Sequence, residues 1–374
     1  MPSTEQNDTL EAQANFTIDA LKYILTPKDA VVFSPYSLIL SMAIGYIGAR
    51  GRTEAEYKNL LSPYTKKEEY CRILENSIDD ILHDSNESRS IYIANGIFIK
   101  NGYIIKEKFK DDIRIYLTAT FESTNFSDPE KSAKIINDFI SNATNHEIKD
   151  LVKPNSISMN TKSILINALY FKSQWKLLFD ESLTTDEEFY ITSNEKKIVK
   201  MMNITSLFSY GGDNDFHVVQ KSYWNYDNKF ILILPKERNN LHSLLKKMDG
   251  KGLLKLIKSA NCCEEVIFSM PKFRVESTHN MKSILTKMGL VTPFNENANF
   301  TGITSTGKFW VEDASQKVLV DVNEKGTEVV AVTNIPCGGY SPNKDREKII
   351  VKADHPFLYI ILKNEEILFI GVYQ

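Results

Sequence analysis

Residues 163–171 read Ser-Ile-Leu-Ile-Asn-Ala-Leu-Tyr-Phe, a near-continuous apolar run of the kind found in strands covered on both faces. Residues 318–322 alternate instead, with Val318, Val320 and Val322 set against Leu319, Asp321 and Asn323, and that period predicts a half-covered strand. Phe16, Ile18, Leu21, Ile24 and Leu25 form a helical stripe over residues 11–25. Residues 38–46 are almost all apolar, so a helix there has to be buried. Ser34 suits its N-cap and Pro35 its first position, and Gly48 and Gly51 mark its end. Amphipathic helices are predicted over 54–61, 68–82 and 133–148, and a glycine-terminated one over 281–289. Further strands are predicted over 91–99, 200–202, 230–235, 270–276, 360–362 and 367–372.

Residues 327–335 are rich in Val and Thr and strand-competent, yet Pro336-Cys-Gly-Gly-Tyr-Ser-Pro342 follows, which forms no regular element. In a strand, Thr327, Val329, Ala331 and Thr333 face one side; Glu328, Val330, Val332 and Asn334 face the other. As a new central strand, about fifteen residues with two rows of hydrogen bonds at a net ~0.5–1.5 kcal/mol each contribute on the order of 10–20 kcal/mol. That rivals the whole stability of an ordinary domain, about 5–15 kcal/mol. The same pattern is compatible with a β-hairpin arm with an irregular tip.

The chain has 374 residues, 42% of them hydrophobic, and a net charge of −3. It can bury a large core and gives no electrostatic case for nucleic acid or another polyanion. Lys106, Lys108 and Lys110 sit among Glu107, Asp111 and Asp112, a solvated helix face. The four cysteines (Cys71, Cys262, Cys263, Cys337) lack metal-ligand spacing and read as free thiols in a reducing compartment. No signal peptide and no apolar stretch of ~18 residues is visible, so a cytoplasmic protein without membrane attachment is expected; a removed leader would make it extracellular. His83, His146, His217, His242, His279 and His355 are scattered, and no nucleophile elbow, P-loop or dinucleotide fingerprint occurs. Neither an enzyme nor a cofactor or metal is expected.

Asn323-Glu324-Lys325-Gly326-Thr327-Glu328, followed by Val-Val-Ala-Val-Thr333, closely resembles the reactive-loop hinge of the serpins. The resemblance extends along the chain through Ser34-Pro-x-Ser37, Gly48-Ala-Arg-Gly51-x-Thr53, Ala94-Asn95-x-x-Phe98, Ile136-Asn137-x-Phe139, Asn167-Ala-Leu-Tyr-Phe171 with Trp175, and Val351-Lys-Ala-Asp-His-Pro-Phe357. It implies one mixed α/β domain over 1–374: a large, mainly antiparallel central sheet, about nine helices, further sheets and an exposed reactive-centre loop over 324–349. It implies the intracellular branch of the family and a monomer.

Function follows from the same resemblance. Serpin loop insertion is a known instance of strand addition and of released strain. A serine protease attacks the loop as a substrate and forms an acyl-enzyme, and the hinge (Glu324, Gly326, Thr327, Glu328, Val329, Val330, Ala331, Val332, Thr333) then inserts before water can release it. Inhibitory members are usually cut after the fifteenth residue from the hinge glycine, which gives Tyr340-Ser341 and a chymotrypsin-like target; Lys344 and Arg346, both trypsin-type, compete. A non-inhibitory binding or chaperone role and inhibition of a cysteine protease are the alternatives. The resemblance places the sheet-opening region at Ser34, Ser37, Asn167, Trp175 and Gln316. Departures are Phe139 for a usual Trp, Gln316 for a usual His, Lys325 for an acidic residue, and Val329 and Val330 for alanines. Pro336 weakens late insertion because it lacks a ladder donor.

Overall fold

Ser34 has extended backbone and its hydroxyl accepts from Ser37 N–H at 3.2 Å, with Pro35 in the first turn. The helix it starts, Pro35–Gly48, is buried along its whole length, as its composition requires. In this computed structural model, residues 4–82, 91–224, 227–312, 314–327 and 348–374 are described. They form nine α-helices and sixteen strands in two compact units.

The first unit comprises Met1–Tyr23, Ser34–Tyr170 and Thr278–Val318. Its three-stranded sheet has the order Thr120–Thr124, Ile91–Lys100, Ser163–Phe171, and the last strand is buried throughout. Helix Pro129–Ala143 lays Ile136 and Ile140 on a core with Phe98, Ile164 and Ile166. Phe139 meets Phe98 edge-on at 5.5 Å.

That helix starts four residues earlier and stops five earlier than the apolar period predicts. Asp128 caps it, accepting from Lys131 N–H at 3.1 Å, and Pro129 takes the first turn. At the other end Thr144 Oγ1 donates back to Ile140 O at 2.7 Å, and Asn145 and His146 turn left-handed. Ile148 still packs on the core, but from the following loop. An apolar period can outlast its helix.

The second unit comprises Ile24–Phe33, Phe171–Ser277 and Leu319–Gln374. Its nine-stranded sheet runs Val31–Phe33, Glu366–Tyr373, Phe357–Lys363, Asn228–Pro235, Phe216–Ser222, Lys196–Gly212, Cys262–Pro271, Ile349–Lys352, with Thr185–Tyr190 also beside Lys196–Gly212. Its pairings are antiparallel except that of Ile349–Lys352 with Cys262–Pro271. The sequence pattern shows only residues 200–202 of the seventeen-residue Lys196–Gly212 strand. Ten of its residues face partners on Cys262–Pro271, and that long-range ladder carries the strand where local alternation is weak. The same unit holds residues 319–323, Gly326–Thr327 and Ser173–Gln174 as neighbouring strands. Among the described residues no helix is long and apolar enough to cross a membrane.

Candidate functional site: the loop hinge and a buried serine network

Asn323 begins the hinge by folding its own side chain back. Its Oδ1 accepts from Lys325 N–H at 2.9 Å and Gly326 N–H at 3.2 Å, which closes a turn. Gly326 then pairs with Asn323 on one side and Gln174 on the other, and Thr327 with Val322 and Ser173. A Cβ at Gly326 would lie 2.2 Å from Ser173 O and 2.8 Å from Gln174 Cα. Only glycine allows this approach of two backbones. Thr327 is buried, and its hydroxyl lies 2.6 Å from that of Tyr223.

Trp175 holds the turn from behind. Its backbone N–H donates to Lys325 O at 2.9 Å and its indole Nε1–H to Asn323 O at 2.8 Å. Its ring is fully buried and stacks on Tyr223. Phe179 N–H adds a bond to Glu324 O at 3.0 Å. The Glu324 carboxylate, also buried, accepts from Lys272 Nζ at 2.9 Å and Thr184 Oγ1 at 3.0 Å. Burial raises its pKa, but the bonds from Lys272, its own backbone and Thr184 outweigh that and hold it below the ordinary carboxylate value. Lys325 lies 3.5 Å from Glu181 on the rim.

At the far base of the loop, Lys348 is paired at 2.9 Å with the buried Glu265, and Ile349–Lys352 joins the nine-stranded sheet. Glu328, Val329, Val330, Ala331, Val332 and Thr333, the bond Tyr340-Ser341, and Lys344 and Arg346 lie outside the described residues.

The first unit carries a second cluster. Gln316 Oε1 accepts from Ser34 N–H at 2.9 Å, and its Nε2 donates to Ser34 O at 2.9 Å and, more weakly, to Ser37 Oγ at 3.5 Å. Ser37 Oγ donates to Asn167 Oδ1, and Asn167 Nδ2 to Asn95 Oδ1 at 3.3 Å. All five residues are buried. Gln316 therefore reaches Asn167 through Ser37 rather than directly. The network contains no titrating side chain. Asn95, read in the sequence only as part of a strand motif, extends it, and nothing local marks that role.

The hinge also depends on residues that sequence reasoning passes over. Lys272 stands 52 positions from Glu324 and Tyr223 104 from Thr327. No local pattern ties such pairs together. Among the described residues no group of three His, Cys, Asp or Glu could hold a metal ion, and Cys71, Cys262 and Cys263 are free.

Residues 11–374 match the family described as serpin, serine protease inhibitor. The chain belongs to the serpin family. Human Serpin B3 is 29% identical over 386 residues, covering 98% of each chain. Serpin48 of the insect Tenebrio molitor, a solved structure, superposes with a TM-score of 0.85 at 26% identity and 99% coverage of both chains. Human thyroxine-binding globulin does so at 0.87 and 26%, covering 99% of this chain and 98% of its own. This serpin thus has the mixed α/β fold expected of it. Members of the family are mostly protease inhibitors rather than catalysts, although thyroxine-binding globulin carries a name for a binding role.

Proposed function

We propose that this serpin is a suicide inhibitor of a chymotrypsin-like serine protease, acting as one domain and one monomer per protease. The observation that carries the reading is the hinge: Gly326 and Thr327 already occupy a strand position with partners on both sides. The first step of insertion is thus built into the native form. The protease serine attacks the Tyr340 carbonyl, the Tyr340-Ser341 bond breaks, Ser341 leaves as a new amino terminus, and Tyr340 stays esterified to the enzyme. Residues after Thr327 follow the hinge into the sheet and carry the ester with them. Inhibition requires insertion to outrun hydrolysis of that ester. The free thiols of Cys71, Cys262 and Cys263 support a reducing, cytoplasmic setting.

The test is incubation with chymotrypsin followed by a denaturing gel and mass spectrometry. A covalent complex with a released peptide beginning at Ser341 is expected. Clean cleavage without a complex would favour the non-inhibitory reading, and a peptide beginning after Lys344 or Arg346 would move the target to trypsin-like proteases.

A further inference from the structure

Lys221 is 2% exposed, with its ammonium group inside the second unit. Nζ donates to Leu177 O at 2.6 Å, its one hydrogen-bond acceptor among the described residues. Around it stand three ring faces, Phe179 at 4.5 Å, Trp175 at 5.3 Å and Phe208 at 5.4 Å. Two of these walls are the residues whose backbone N–H groups grip Glu324 O and Lys325 O. The amine therefore sits directly behind the hinge clamp.

We propose, building on the inhibitory reading, that Lys221 sets by its protonation how tightly Trp175 and Phe179 hold the hinge. Uncharged, the side chain is an apolar filler of the box. Charged, it is an ion with one carbonyl and three ring faces in place of water, and separating Trp175 from Phe179 rehydrates it. It is a positioning residue, acting on the hinge through the clamp.

Burial pushes the Lys221 amine down to about 7. The neighbouring ionisable groups are engaged elsewhere or do not oppose it. Just past the end of its strand Tyr223 is tied to Thr327, and on the strand His217 bonds Tyr210 at 2.7 Å. In the hinge Glu324 is held by Lys272 and Lys325 lies beside Glu181. Across the ladder Glu264 faces Phe208 and Glu265 is paired with Lys348; Lys176 follows Trp175 and is exposed. Opening the box returns the amine towards its ordinary value of 10.5. Between pH 10.5 and 7 the opened form takes up a proton and the closed form does not, so opening becomes easier as pH falls and levels off below 7.

Amide hydrogen exchange on the whole protein, corrected for the intrinsic pH dependence, tests this at Trp175 and Phe179. Protection is expected to rise at least ~10-fold from about pH 7 to about pH 9. In Lys221→Met, which fills the box without a charge, protection should be high and flat. In Lys221→Arg, charged throughout, it should be low at both pH values. An equal pH slope in Lys221→Met, or no slope in the native protein, overturns the proposal; these two decide it even if Lys221→Arg does not fold. Loss of the covalent complex with the exchange pattern intact would refute the inhibitory reading and leave Lys221 standing.

Discussion

Trp175 lies flat on Tyr223, with ring centroids 4.4 Å apart and planes 14° from parallel. The pair divides the hinge between them: Trp175 holds Asn323 O and Lys325 O, and Tyr223 holds the Thr327 hydroxyl. A rigid aromatic platform thus fixes the point where the loop leaves one strand and starts the next.

Removing the Tyr223 hydroxyl isolates one of these bonds. Tyr223→Phe keeps the stack but leaves the buried Thr327 hydroxyl without that partner, at a cost of about 1–3 kcal/mol. A lower denaturation midpoint and faster exchange at Thr327 are expected. Tyr223→Phe combined with Thr327→Val should recover most of the loss, and a purely additive double variant would count against the bond.

Gly326→Ala puts a methyl group against Ser173 O. The hinge has to shift, and insertion should slow while cleavage at Tyr340 does not. More serpin is then cleaved per protease inhibited, which titration against chymotrypsin measures. An unchanged ratio would mean that the Gly326–Thr327 pairing has no part in insertion.

Lys272→Met leaves the buried Glu324 carboxylate with Thr184 as its remaining side-chain donor. Charged hydrogen bonds contribute about 1.5–3 kcal/mol, less here because Lys272 is half-exposed. Because the folded pKa of Glu324 is lowered, its contribution is present above the ordinary value of 4.5 and is lost as pH falls below it. Native stability should therefore drop more steeply below pH 4.5 than that of Lys272→Met. Parallel acid profiles for the two proteins would contradict the pairing.

The Gln316 network is held by amide and hydroxyl groups, so its strength should not vary between about pH 5 and 8. Gln316→His places a titrating ring there, and its opening should become pH-dependent. Thermal midpoints across that range distinguish the two. Equal slopes for the native protein and the Gln316→His variant would show that the network does not control opening.

Much of this is legible in sequence because local rules suffice. Ser34-Pro35 announces its helix, the apolar run 163–171 its strand, and the alternation ending at Val322 the rail beside the hinge. Gly326 is readable as a point of backbone freedom, but its actual reason, the approach of Ser173 O, lies across the sheet. Lys221 illustrates the limit. In sequence it is one lysine in a polar-looking Gln-Lys-Ser stretch; only the fold encloses it with Trp175, Phe179 and Phe208. Tyr223 and Lys272 are hidden for the same reason, since their partners come from distant chain segments.

On the inhibitory reading, the native form is held above a more stable one reached when the cut loop continues the strand begun at Gly326. Its most direct measurement is the melting temperature before and after a single cleavage near Tyr340. A large rise on cleavage is expected, because the added ladder contributes on the order of 10 kcal/mol or more. An unchanged or lower melting temperature would contradict the account.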